Sequence, residues 1–166
     1  LVGSEMCIRD RRESLPNIRE RELEDACRAI GITDLRKMGL RDKTVEFEPH
    51  DQMDDMVKNL IDETNPSLII SFYPKFAVHP DHEATAEAVV RTVGRMPESE
   101  RPRLTLVAFS NDAPEILGQP DIQNDISKYS DLKLKAFEAH ASQTGPFLKQ
   151  IASPDIDGPV SYTHLR

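Results

Sequence analysis

Apolar and polar positions along the 166-residue chain alternate between helical and extended periods. From Asn17 to Ile30, the residues Leu23, Ala26, Cys27 and Ile30 recur at helical spacing, and Gly31 is placed to end that helix in the left-handed conformation. Asp51 to Thr64 repeats the period with Met53, Met56, Val57, Leu60 and Ile61; Asp51 reads as the N-cap and Asn65-Pro66 as the stop. The two thioethers are gap-filling core groups rather than ligands. After Pro66 an apolar, β-branched run, Ser67-Leu68-Ile69-Ile70-Ser71-Phe72, reads as a buried strand. A polar turn then opens into a helix from Pro80 to about Met96, with Ala86, Val89, Val90 and Val93 toward the sheet.

Arg103 to Phe109 is a second strand, and Ser130 to Gln143 is the last helix, capped by Ser130 with Leu132, Ala136, Ala139 and His140 on one stripe. Between these elements, Leu35 to Glu48 reads as a charged loop passing into an extended piece at Thr44 to Phe47. Asn111 to Gln123, with Pro114, Gly118 and Pro120, reads as a surface excursion. A helix followed by a strand on each side of the His79 turn predicts βαβ connectivity. The expected fold is therefore α/β: a Rossmann-like, largely parallel sheet flanked by helices.

Two stretches stand outside this pattern. Leu1 to Arg11 and Val160 to Arg166 match neither the periodicity nor the turn chemistry between them, and they resemble translated library-adapter sequence. Residues 12–159 are expected to form one domain, with 1–11 and 160–166 as non-native ends. Composition narrows the function. A net charge of −8 argues against a nucleic-acid groove and against an anionic membrane surface, because both need clustered Lys and Arg. Cys7 and Cys27 belong to no CxxC pair, which fits a reducing compartment and offers no thiolate metal site. No apolar run approaches the roughly 20 residues of a membrane span, so the default location is cytoplasmic. A homo-oligomer is compatible with the sequence.

The candidate chemistry lies in His79-Pro80-Asp81-His82, at the end of the first strand where α/β proteins place their sites. Pro80 suits the first helical position, so His79 falls at the N-cap and His82 inside the first turn, on the same side of the helix start. The positive helix terminus favours the neutral imidazole that a metal needs and stabilises the carboxylate of Asp81. A metal ligand, an orienting carboxylate and a second histidine contacting an oxyanion could all come from these four residues. A capped, solvated helix with two surface histidines would read the same way. His140, on an apolar stripe, reads equally as a satisfied core residue.

Several ordered segments together resemble the LmbE-like, or PIG-L, de-N-acetylases, zinc hydrolases that remove acetyl groups from N-acetylglucosamine derivatives. They are Val78 to His82, Arg19-Glu20-Arg21-Glu22-Leu23 heading a helix that ends at Gly31-Ile32, and the segment with Lys135, His140, Ser142 and Gln143. Met38 to Thr44 and Phe72-Tyr73-Pro74 look most like the bacillithiol-biosynthesis deacetylases of the second type. The resemblance, covering about Glu13 to Gln150, implies zinc as cofactor and a small sugar conjugate of glucosaminyl-malate type as substrate. It implies His82 as a zinc ligand and His79 as the residue that stabilises the tetrahedral intermediate and helps protonate the leaving amine, with Asp81 supporting it. Arg19 and Glu22 would line the substrate pocket, with His140 in a supporting role beside it.

The family opens with a strand leading to His-Pro-Asp-Asp-Glu, which supplies further ligands and the general base, and Leu1 to Arg12 has no such stretch. The fold is thus expected to lack its first strand. One recognisable ligand remains where a catalytic zinc takes about three, so the chain as it stands is expected to bind zinc poorly and turn over little. The alternative is a non-catalytic α/β binding or regulatory module that has lost the metal site.

Overall fold

The computed structural model describes residues 2–145 and 162–165, with side chains over 15–145. The chain divides into two compact units, one formed by residues 1–37 with 125–162 and the other by 38–124 with 163–166. In the first unit, helix α1 (Val2–Ile30) packs against helix α5 (Ser130–Ala139). Ala26 and Cys27 are buried there, while Leu23 and Ile30, expected on the same face, are substantially exposed. Gly31 ends α1 as expected: its φ is +81°, and the following N–H of Ile32 reaches back to the Cys27 carbonyl at 2.8 Å. Helix α1 runs back from Asn17 through Pro16 to Val2, further than its periodicity predicts. Helix α5 starts after Tyr129 rather than Ser130, and its stripe buries no residue fully.

The second unit carries the α/β layer. Strands β1 (Leu68–Phe72) and β2 (Arg103–Val107) pair in parallel, in register from Leu68 with Arg103 to Phe72 with Val107. Helices α2 (His50–Thr64) and α3 (Pro80–Arg95) pack on each other, and the core gathers Ile61, Val89 and Val93 with Val57, Ile69, Met96 and Leu104 around them. The βαβ connection and the parallel pairing are those the sequence predicts. Strand β1 is not buried throughout. Ile69 packs into the core, whereas Leu68 and Ile70, on the opposite face of the pleat, are 45% and 58% exposed.

Three local differences have physical causes. Val45–Phe47 is a 3₁₀ turn instead of an extended piece, because the N–H groups of Lys43 and Val45 are taken by the Asp81 carboxylate rather than by a ladder. On α3, Val90 is exposed while Ala88 and Thr92 are buried. The buried face turns toward α2, where the Thr92 hydroxyl donates to the Asp54 carbonyl. Residues 111–123 hold a short helix α4 (Ala113–Leu117) and the start of strand β3 (Ile122–Asp125), which pairs with β4 (Tyr162–Leu165). Helix α2 is capped by Pro49, with Asp51 in its first turn, and closes on Asn65 in the left-handed conformation.

Helices α2 and α3 are tied by a buried charge. Asp54, 6% exposed, accepts from Arg91 Nε at 3.1 Å and Nη2 at 2.8 Å, and from Arg95 Nη1 at 2.7 Å. The Arg91 hydrogen bond, with the charges of Arg91, Arg95 and His50, holds the Asp54 carboxyl below its ordinary range against the opposing effect of burial. Because the folded value lies below the unfolded one, this stabilisation is present above about pH 4 and is lost as pH falls through the folded value. Asp54→Asn is expected to lower stability near neutral pH by about 3 kcal/mol, leaving two guanidinium groups poorly partnered. In denaturant titrations the gap to wild type should close below about pH 4; a gap unchanged at acid pH would contradict the ion-pair account.

Candidate active site

Helix α3 begins as its sequence dictates, with His79 extended at the N-cap (φ −121°, ψ 137°) and Pro80 at the first helical position. The His79 ring caps the helix: Nδ1 accepts the Asp81 N–H at 3.2 Å. A nitrogen that accepts carries no proton, so the neutral ring bears its hydrogen on Nε2. In His82 the logic is inverted. Its Nδ1 lies 3.3 Å from the Ala77 carbonyl oxygen, which can only accept, so Nδ1 carries the hydrogen and Nε2 keeps a lone pair. The ring centroids are 5.2 Å apart at an interplanar angle of 46°. Two neighbouring imidazoles therefore present opposite chemistry, a donor on His79 and an electron-pair ligand on His82.

The end of β1 fixes the plane of the second ring. Phe72 stacks on His82 with centroids 4.3 Å apart and planes within 10°, and Phe109 braces Phe72 from the side at 5.9 Å. Asp81, 8% exposed, does not spend its carboxylate on the solvent. Oδ2 accepts from the Lys43 N–H at 2.6 Å and Oδ1 from the Val45 N–H at 3.1 Å, docking the 3₁₀ turn on the helix mouth. Glu83 performs the same service for the preceding loop, accepting from the N–H groups of Lys75 and Ala77. The Phe76 carbonyl in turn accepts from Phe109 and Ser110 at 2.7 and 3.1 Å, lacing the loop to the chain after β2. Within this loop Lys75 and Val78 are left-handed, at φ +70° and +71°. For a β-branched residue such as Val78, this backbone stores about 1–3 kcal/mol.

Arg19, Glu22 and His140, named from the sequence as pocket residues, belong to the first unit and come together there. Glu22 on α1 accepts the Ser142 N–H and hydroxyl, both at 2.7 Å, while His140 follows the last residue of α5. The Ser142 hydroxyl is the main influence holding the Glu22 carboxyl below its ordinary range; partial desolvation opposes it, and the Ser142 N–H and the charges of His140 and Arg19 act with it. The His140 Nδ1 is buried with no hydrogen-bond partner among the described residues.

Sequence reasoning missed Phe72 as a platform, Glu83 as a clamp and Ser142 as the partner of Glu22. An aromatic residue closing a strand just before an HxxH turn was a signal for the first. A glutamate four residues past an N-cap was a signal for the second.

The donor chemistry of His82 suits a divalent metal, since a ligating histidine commonly anchors its other N–H on a carbonyl or carboxylate. Among the described residues no group of three or more His, Cys, Asp or Glu is placed to hold a metal ion.

Two parallel strands packed with helices, and two imidazoles at the mouth of the helix that follows the first strand, define the class as a Rossmann-like α/β protein. Residues 3–93 match the family described as GlcNAc-PI de-N-acetylase, PIG-L, and the chain belongs to that family. Three relatives carry the name probable N-acetyl-alpha-D-glucosaminyl L-malate deacetylase 2. The one from Bacillus cereus is 51% identical over 138 residues, 83% of this chain and 63% of its own length. That from Bacillus anthracis is 46% identical over 147 residues, 89% of this chain and 65% of its own. That from Bacillus subtilis strain 168 is 44% identical over 140 residues, 84% and 63%. The chain thus spans less than two thirds of the length of these relatives.

The strained backbone at Val78 can be checked directly. Val78 is 71% exposed, so its side chain contributes little burial, and Val78→Gly should raise stability by about 1 kcal/mol in a denaturant melt. A loss of similar size would show that the loop does not hold a left-handed residue there.

Proposed function

We propose that the protein is a metal-dependent de-N-acetylase that hydrolyses the acetamide of an N-acetylglucosamine conjugate, N-acetylglucosaminyl L-malate, with zinc as the metal and the cytoplasm as the place of action. The observation that carries this reading is the opposed hydrogen bonding of the two Nδ1 atoms at the mouth of α3, that of His79 to an N–H and that of His82 to a carbonyl, in a chain of this family. No described helix is long and apolar enough to cross a membrane, in keeping with a small dissolved substrate.

His82 would hold the metal through Nε2, the ring set by Phe72 and the Ala77 carbonyl. Zinc, when bound, supplies Lewis-acid polarisation of the acetyl carbonyl and a water that ionises near neutral pH. His79 would donate its Nε2–H to the oxygen on which negative charge develops, a fixed donor aimed at the transition state. Giving up that proton from the neutral ring would leave an imidazolate. Donation to the leaving amine therefore requires Nδ1 to be protonated first, at the cost of the Asp81 N–H bond. In this arrangement the main work of His79 is to stabilise the oxyanion. Asp81 serves catalysis by holding the helix mouth against residues 43–45. Arg19, Glu22 and His140, grouped within the first unit, are the proposed substrate-binding residues, the Arg19 guanidinium suiting a carboxylate.

The test is acetate release from N-acetylglucosaminyl L-malate by the protein expressed from its complete gene, with and without a chelator. Activity should require the metal. His79→Ala should lower kcat by about 10²- to 10³-fold with little change in KM, and His82→Ala should abolish zinc retention. Unchanged kcat in His79→Ala would remove its assigned role. Absence of acetate release from metal-loaded protein would favour a non-catalytic binding module.

A further inference from the structure

We infer that Glu83 is a positioning residue for His82, and that it acts through the backbone of Ala77. This rests on the reading of His82 as the metal ligand. The Glu83 carboxylate reaches back from the first turn of α3 and accepts two N–H groups of the loop before it, from Lys75 and, at 2.7 Å, from Ala77. Ala77 is 1% exposed, and its carbonyl is the group 3.3 Å from His82 Nδ1. One residue thus presents its N–H to Glu83 and its C=O to His82, so the carboxylate sets where the carbonyl stands.

The loop cannot be expected to hold that place on its own. Lys75 and Val78 on either side of Ala77 are both left-handed non-glycine residues, a conformation that persists only where surrounding bonds over-determine it. The Glu83 bonds fall between and upon these strained positions. Without them the loop can relax toward ordinary backbone, and the Ala77 carbonyl leaves His82 Nδ1. The ring then loses the bond that favours the Nδ1–H tautomer. A free neutral histidine side chain favours hydrogen on Nε2, so without that bond a share of His82 would carry its proton on Nε2, the atom the metal needs bare. Phe72 would still hold the ring plane, which confines the effect to protonation and rotation about the stack.

The consequence is read without any metal. In long-range ¹H–¹⁵N spectra of the metal-free protein, recorded well above the titration range of imidazole, wild-type His82 should show the Nδ1–H pattern. Glu83→Ala should convert it to a mixture or to the Nε2–H pattern. Glu83→Gln keeps one carbonyl acceptor and should lie between, and it also serves if the alanine variant folds poorly. A cooperative denaturant transition in each variant provides the control for global folding. In the same protein as the acetate-release test, with zinc alone as probe, competition against a chromophoric chelator should show affinity weakened about 10- to 100-fold in Glu83→Ala, the range for loss of an outer-shell partner. A folded Glu83→Ala protein with the wild-type His82 spectrum would overturn the inference, as would a wild-type His82 protonated on Nε2. If the spectrum changes as expected while His82→Ala leaves zinc binding intact, the positioning role stands and the assignment of His82 as ligand falls.

Discussion

The helix mouth depends on one constraint: backbone N–H groups in two irregular loops must find acceptors, and carboxylates of α3 provide them. Asp81 takes Lys43 and Val45, and Glu83 takes Lys75 and Ala77. Unpaired N–H groups in partly buried loops would cost about 1–3 kcal/mol each, so these bonds decide which loop conformations survive. Both carboxylates sit in the first turn of a helix, where the macrodipole also favours negative charge. The same few residues that cap the helix therefore also shape the loops around it. His79 completes the arrangement by accepting the Asp81 N–H with its ring, and His82 by donating to Ala77.

The rest of the second unit keeps α3 in place. Parallel pairing of β1 with β2 brings Phe72 and Val107 level, and the chain leaves both strands toward the loop that Phe76 laces to Phe109 and Ser110. Beneath, the Asp54 ion pairs and the Ile61, Val89 and Val93 core fix α3 against α2. At its far end, the Arg101 guanidinium donates to the carbonyls of Gly94 and Met96 at 2.7 and 2.8 Å, closing the helix. Stability and site geometry thus share a single helix. Its middle is held by packing and charge, and its mouth is free to be shaped by polar bonds.

Much of this was legible from residue patterns. Helical spacing located α2 and α3, Pro80 placed the start of α3, Gly31 placed the end of α1, and helix–strand alternation gave the parallel pair. One cause of the misreadings is that long-range polar bonds have no local signature. Val45–Phe47 carries β-forming residues, yet the Val45 N–H is claimed by an aspartate 36 residues away. Ser130 has a capping side chain, but the backbone enters α5 through Tyr129. The β1 run was apolar enough to suggest burial on both sides, while only the face bearing Ile69 meets the helices. The site itself was half visible. His79, Asp81 and His82 could be named from one motif, but the opposite protonation of the two rings depends on a carbonyl and an N–H that no side-chain pattern reveals. Glu22 and His140 were likewise named, and Ser142, which holds Glu22, went unweighed despite sitting in the same segment.

The claim on which the functional account turns is that two adjacent imidazoles carry their hydrogens on opposite nitrogens. Neutron diffraction from deuterium-exchanged crystals would settle it most directly. The account predicts nuclear density for deuterium on Nε2 of His79 and on Nδ1 of His82, with Nδ1 of His79 and Nε2 of His82 bare. Deuterium on Nε2 of both rings would contradict it, because His82 would then have no electron pair on Nε2 to offer the proposed metal.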